Sequence, residues 1–423
     1  MSVSYCQRRQ LKEEVVECMR KQTADNEAVL ERRDKDMKVQ IRKLLLSLAV
    51  VFILGSLLSS FTWHKINKHD SWHHQRKEVE PTTVNESTER PEAPADMCVE
   101  SYSCTNCREI ITSIAKCYAE PWKRQKRNYE KFSSQLNSNC HGAENAIVTQ
   151  NNTPVGSQIV YVGNSKKKTI EVTTDLFSTF PKEHPLPNKK WDTCSVVGNG
   201  GILINSKCGK QIDSAQFVIR CNLPPLDSEL EKDVGKKTDL VTANPSIFQL
   251  KFSSLNNFRR PFVESLRNFG DAMLLLPTFS FRLNTQLCQR AIYAINDFDS
   301  PIRPISFNPE YIRNLSIYWN SQGLTEPRLS TGFMMVSLAL ELCNSVDLYG
   351  FWPFSFHPQD FHHLTNHYYD NKPPRKQYHA MPAEFNHLLK LHRQGILRLH
   401  LGDCEAEKDV PAKKRQKKHR MLV

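Results

Sequence analysis

No internal repeat is visible in this chain of 423 residues, so its length is shared among different regions, up to about three domains on length alone. No broad surface of one charge is encoded either. The formal net charge of +12 is scattered except for a final cluster, which leaves nucleic acid without an electrostatic argument. Two familiar nucleotide-binding patterns are incomplete around the cluster Gly198-Asn199-Gly200-Gly201. A dinucleotide fingerprint needs a third glycine at position 203 and an acid after the next strand, but Leu203, Arg220 and Asn222 stand there. A phosphate loop needs a glycine five residues before Gly209-Lys210 and a hydroxyl after it, but Ile204 and Gln211 occupy those places. The pair Cys104-x2-Cys107 could open a zinc site, but no second ligand pair at matching spacing follows. A Rossmann-type oxidoreductase and a zinc module are thereby disfavoured.

Along the chain, residues 1–43 are polar with mixed charges, and LKEEVVECMRKQ has the spacing of a solvated helix. Leu44 to Trp63 is an uncharged run of 20 residues, long enough for one bilayer crossing. It starts too late and runs too long for a cleaved signal peptide. Arg32, Arg33, Lys35, Lys38, Arg42 and Lys43 crowd its N-terminal side against Lys65 and Lys68 beyond it, which places the N-terminus in the cytoplasm. Residues 64–97, with Pro81, Pro91 and Pro94 and no periodicity, read as a stem. Three glycosylation sequons, at Asn85, Asn151 and Asn314, all follow the apolar run. Eleven of the 13 cysteines follow it too, as suits an oxidising lumen, and the odd number leaves at least one free or paired with another chain. The basic tail, residues 405–423, resembles a nuclear address around Lys413-Lys414-Arg415, but behind a membrane anchor it reads as a disordered extension.

Between Cys194 and Pro225 the chain shows a short apolar run, a glycine turn and a second apolar run, Phe217 to Ile219. Further short apolar runs, Asp239 to Asn244 and Ala272 to Leu276, alternate with helical stretches. This pattern predicts an α/β fold, a mostly parallel sheet flanked by helices, with its ligand crevice beyond the carboxyl ends of the strands. The glycines would let backbone N–H groups approach an anion such as a nucleotide phosphate. Ser330-Thr331-Gly332 before the apolar stretch Phe333 to Leu342 marks a helix N-terminus, either a plain cap or a site for an anion. Asp297-Phe298-Asp299 could hold a divalent cation, or simply form a turn after a helix.

Four blocks in order carry a resemblance. Cys194 to Pro225 resembles the large motif of the sialyltransferases (glycosyltransferase family 29), in the form found in the α-2,8 branch. Leu329 to Cys343, continuing to LYGFWPF, resembles the small motif; His367 to Asp370 (HYYD) the third; and His379 to Glu384 (HAMPAE) the very small motif. The resemblance covers roughly residues 98–404, and it implies a glycosyltransferase A-like variant of the α/β fold. It implies inverting transfer of sialic acid from CMP-sialic acid to the 8-hydroxyl of a terminal sialic acid on a glycoprotein or glycolipid. It also implies a lumenal catalytic domain in the Golgi membrane, no metal or other cofactor, and room for a homodimer. A membrane-tethered sialoglycan-binding protein with little turnover is the rival reading.

By the same resemblance His379 is the general base, a role suited to a group that titrates near neutrality. His367 would sit by the donor phosphate, with Ser330, Thr331 and Gly332. Asn199 and Asn222 would contact the nucleotide, and Trp352 would wall the pocket. Glu384 would orient the site or start the following helix. Asn366 departs from the family pattern, in which an aromatic residue or another histidine is common. The resemblance further implies the disulfides Cys194–Cys343 and Cys208–Cys404.

Overall fold

The computed structural model describes residues 107–163, 168–186, 189–324, 328–371 and 381–405. The predicted anchor, the stem, Asn85 and the basic tail lie outside these residues. No helix among the described residues is long and apolar enough to cross a membrane.

The centre is an 8-stranded sheet. In chain order the strands are β1 (Ile147–Val148), β2 (Gln158–Val160), β3 (Thr169–Glu171), β4 (Cys194–Val197), β5 (Phe217–Arg220), β6 (Leu240–Thr242), β7 (Met273–Leu276), β8 (Arg303–Phe307), β9 (Val346–Tyr349) and β10 (Arg398–His400). The sheet runs β1-β8-β7-β6-β5-β4-β9-β10, while β2 and β3 form a separate hairpin. All neighbours are parallel except β1, which pairs antiparallel with β8 at one edge. Strand order departs from β4 in one direction through β8 and then returns to β4's other side with β9. The switch point, where such sheets open a crevice, therefore lies at the carboxyl ends of β4 and β9.

The central strands are apolar almost throughout because both faces are covered. Alternate side chains feed two cores. Val196, Ile219, Leu240, Leu275, Ile305 and Leu348 point to one, while Val197, Val218, Val241, Leu274, Leu276 and Tyr349 point to the other. Six helices of 12 residues or more are described: α1 (Cys107–Tyr118), α2 (Lys126–Cys140), α3 (Arg282–Asp297), α4 (Pro309–Ser321), α5 (Thr331–Leu342) and α6 (Met381–Arg393). Residues of α1, α2, α4, α5 and α6 belong to the first core, and Leu287, Cys288, Ala291 and Ile295 of α3 to the second. The result is a three-layer α/β/α arrangement, as the sequence pattern predicted. α5 is apolar on all sides because it is buried on all sides: Phe333, Met335, Val336, Leu338, Ala339 and Leu340 are each at most 1% exposed.

The segment before residue 190 joins this architecture instead of forming a unit of its own. β1 extends the sheet, and α2 packs on α4 and α5, with the Ser133 hydroxyl donating to the Leu340 carbonyl at 2.7 Å. α2 begins at Lys126. Gln125 is held outside it, its N–H donating to the Gly395 carbonyl.

Two disulfides hold the layers together: Cys194 to Cys343 and Cys208 to Cys404. Among the described residues Cys117, Cys140, Cys221 and Cys288 are free. Burial pushes the thiols of Cys140, Cys221 and Cys288 up to about 12, so they are inert. Asn151 is exposed in a turn, whereas Asn314 is half-buried inside α4, with Leu315 fully buried beside it.

Candidate active site at the switch point

The glycine loop after β4 lies against the loop after β9. A Cβ on Gly198 or Gly200 would stand 2.8 or 2.6 Å from the Gly350 carbonyl oxygen, and one on Gly350 2.6 Å from that of Gly198. Gly350 also has φ +74°, where glycine alone is unstrained. The N–H of Gly198 donates to the Tyr349 carbonyl at 2.7 Å and that of Gly200 to the Gly350 carbonyl at 3.0 Å. These glycines thus let two strand ends approach each other, and the two N–H groups expected to meet an anion are engaged within the protein.

Asn199 sits between them. Its amide nitrogen donates to the Cys221 carbonyl at 2.8 Å, tying the β4 loop to the end of β5. Its amide oxygen is buried without a hydrogen-bond partner. Such an atom costs about 1–3 kcal/mol unless a donor is supplied. Asn222, at φ +63°, follows β5, and its backbone N–H donates to the Thr242 hydroxyl at 2.9 Å, which locks it to β6.

The HYYD segment crosses the mouth of this loop. The Tyr368 N–H donates to the Asn199 carbonyl at 2.9 Å, and His367 forms an antiparallel bridge with Gly200. His367 Nδ1 lies 2.8 Å from an Asp370 carboxylate oxygen, and its ring stacks on Tyr369 at 5.1 Å. Nδ1–H therefore donates to Asp370, which leaves Nε2 as the working nitrogen. The Asn366 amide nitrogen lies 3.4 Å from both nitrogens of the His367 ring.

The N-terminus of α5 completes the group. Ser330 is its N-cap, its hydroxyl oxygen accepting from the Phe333 N–H at 3.1 Å. An anion does occupy this terminus, and it is the protein's own. The buried Glu384 carboxylate accepts from the Ser330 N–H at 2.6 Å and from the Ser330 hydroxyl. Thr331 and Gly332 face elsewhere. The Thr331 hydroxyl donates to the Asn244 amide oxygen at 3.2 Å, and a Cβ on Gly332 would stand 3.0 Å from the ring of Phe351. That ring also lies 3.4 Å from the Cβ position of Gly198, so Phe351 joins the helix terminus to the glycine loop. Trp352 is a core residue, with its ring edge-on to Phe354 and Phe385 and its N–H donating to the Phe356 carbonyl at 2.8 Å.

Asn199, Asn222, Ser330, Thr331, Gly332 and His367 are thus gathered at one edge of the sheet, whereas His379 lies outside the described residues. Asp297 closes α3, which runs back from the carboxyl end of β7 toward the start of β8. Asp297 and Asp299 accordingly lie at the opposite edge, and Asp297 is paired with Arg259. Sequence reasoning gave no role to Asn244, Phe351 or Asp370, or to the clamp between Glu384 and Ser330. A polar residue ending the run DLVTAN was the available signal for Asn244. Asp370 contacts His367 within the HYYD block itself, whereas the contacts of Phe351 and of Glu384 join separate parts of the chain.

An open parallel sheet with amide, hydroxyl and imidazole groups collected at its switch point is the architecture of a nucleotide-using α/β enzyme. Comparison with known proteins narrows the class. Residues 147–396 match the family model for glycosyltransferase family 29 (sialyltransferase). Human alpha-2,8-sialyltransferase 8F is 44% identical over 306 residues, 72% of this chain and 76% of the relative. Human alpha-2,8-sialyltransferase 8E is 43% identical over 283 residues, 67% of this chain and 75% of the relative. The Xenopus laevis alpha-N-acetylneuraminide alpha-2,8-sialyltransferase is 42% identical over 310 residues, 73% and 84% of the two chains. The chain belongs to glycosyltransferase family 29, the sialyltransferases.

Proposed function

We propose that this protein transfers sialic acid, with inversion, from CMP-sialic acid to the 8-hydroxyl of a terminal sialic acid on a glycoprotein or glycolipid. The names of the relatives support the linkage. The observation that carries the site is the convergence of sequence blocks far apart in the chain. Gly200 is bridged to His367, Asn199 to Tyr368, and Ser330 to Glu384.

In the reaction the acceptor O8 forms a bond to C2 of the donor sugar as the C2–O bond to the phosphate breaks. His379 takes the hydroxyl proton, and the departing CMP carries the electron pair away on its phosphate. His367, with Asp370 holding Nδ1–H, presents Nε2–H to that developing charge. The N-terminal dipole of α5, partly offset by Glu384, adds a potential of the right sign, and the Thr331 hydroxyl would leave Asn244 to donate to the phosphate. The unpaired Asn199 oxygen offers an acceptor to the nucleotide. These groups make a metal unnecessary for the transfer. The anchor, stem and lumenal domain read from the sequence support a reaction at the Golgi membrane.

Replacing His379 tests this. In the His379→Ala variant, transfer to sialylated acceptors should fall by about 10²- to 10⁴-fold while CMP binding persists, because the base acts on the acceptor proton. Turnover above roughly a tenth of wild type would overturn the assignment. Failure of the wild-type protein to form an α-2,8 product on O-glycan, N-glycan and ganglioside acceptors alike would overturn the reaction itself.

A further inference from the structure

Between the site loops a short hairpin projects from residues 355–364. The His357 N–H donates to the His362 carbonyl at 2.9 Å and the Leu364 N–H to the Ser355 carbonyl at 2.8 Å, so the six residues HPQDFH form a closed turn. Phe361 pins the turn to α1, with the Arg108 guanidinium 4.7 Å from the centre of its ring. Three ligand-type side chains converge on the turn. Asp360 Oδ1 lies 3.2 Å from His357 Nδ1 and 2.6 Å from His362 Nδ1, and the two imidazoles are stacked at 4.8 Å.

The protonation of this group is unresolved by the protein alone. The Gln359 N–H donates to His357 Nδ1 at 3.3 Å, so that nitrogen carries a lone pair, faces a carboxylate oxygen, and must give up this long bond to hold a cation. Two electron-rich atoms at that distance call for a proton or a cation between them. A tetrahedral cation with bonds near 2.0–2.1 Å sets its ligand atoms about 3.3 Å apart. The His357–Asp360 separation already meets that spacing. The His362–Asp360 pair must open slightly, and both of these side chains are more than half exposed and free to do so.

We propose that His357, Asp360 and His362 form a binding site for a divalent zinc ion. Two imidazole nitrogens and one carboxylate oxygen suit this borderline cation, and its fourth position is left to water. The ion stands apart from the transfer chemistry. It staples the hairpin that connects the end of β9 to His367.

The test is zinc titration of the purified full chain, stripped with chelator, against a competing chromophoric chelator. His362→Ala is the main variant because its side chain is exposed and its loss leaves the fold undisturbed; Asp360→Asn and His363→Ala accompany it. Wild type and His363→Ala should take up one equivalent more than His362→Ala, and Asp360→Asn should bind at least about tenfold more weakly. Zinc should also raise the melting temperature of wild type and not that of His362→Ala. Equal uptake by wild type and His362→Ala, including no uptake by either, would overturn the proposal.

Discussion

To donate from Nε2 to a leaving phosphate while Asp370 holds Nδ1–H, the His367 ring must carry both protons, and the Asp370 carboxylate balances that charge. The charge-assisted bond between them is worth about 1.5–3 kcal/mol, or roughly 10- to 100-fold in rate if it strengthens as the imidazole gains charge. Asp370→Asn keeps an acceptor but removes the charge. We expect kcat to fall by that factor with KM little changed, because the imidazolium loses its counter-charge. Unchanged kcat would refute the role. A second carboxylate, far from the chemistry, sets a pH dependence of stability. Glu341 on α5 accepts from the Gly142 N–H at 2.6 Å and the Tyr311 hydroxyl at 2.8 Å. Burial raises its pKa from the ordinary 4.5 to about 7, while these hydrogen bonds and Lys190 pull it down. Between those values the folded chain holds a proton that the unfolded chain has released. Stability from this group is therefore fully present below about 4.5 and is lost as pH rises to about 7. Melting curves from pH 4.5 to 7.5 should show wild type declining relative to Glu341→Gln. Parallel curves would rule this out.

At the scale of elements, the Cys194–Cys343 bond joins the first residue of β4 to the residue that follows α5, 149 positions apart in sequence. Closing a loop of that length stabilises by up to about 5 kcal/mol on the chain-entropy model. It also fixes α5 against the strand whose far end carries the glycine loop, so the two halves of the site keep their distance. Replacing both cysteines by alanine should lower the unfolding free energy by most of that amount, seen as a lower denaturant midpoint, and weaken CMP binding. An unchanged midpoint would show the bond to be redundant with the packing of Leu338 and Val196 around it. Elements with a strong local signature were legible in advance: β4 to β7, and the apolar α5. β1 and β10 were not. Two or three residues long, they become strands only because β8 and β9 offer them an edge.

For the whole molecule the open question is how many sugars are added. Polymerising members of the family resemble this chain but carry a strongly basic stretch upstream of the small motif, where it tracks a growing anionic product. From Gln289 to Arg328 this chain has four arginines, Arg290, Arg303, Arg313 and Arg328, against Asp297, Asp299, Glu310 and Glu326. α3 and α4 carry most of that stretch, and there Arg290 is bonded to the Ser254 carbonyl and Arg313 to the Val160 carbonyl. With no net charge, the region gives a polyanion little steering. The product should be one or a few sialic acids. Chains of tens of residues, sized by chromatography after long incubation with excess donor, would contradict this.

The sequence by itself determined the layered α/β class, because runs such as CSVV, FVIR, LVT and MLLL are short, mostly apolar and without alternation, the pattern of strands covered on both faces. It also determined the family, through four blocks in fixed order, and with it most of the residues now found together. What only the tertiary structure decided is how those residues are used. Glycines read as an opening for phosphate serve the contact of β4 with β9, and Trp352 has its ring N–H engaged within the core. Ser330 was legible as a helix cap, but its partner Glu384 lies 54 residues on. Periodicity and propensity describe near neighbours along the chain, whereas a site at a switch point is made where strands from its two halves end side by side.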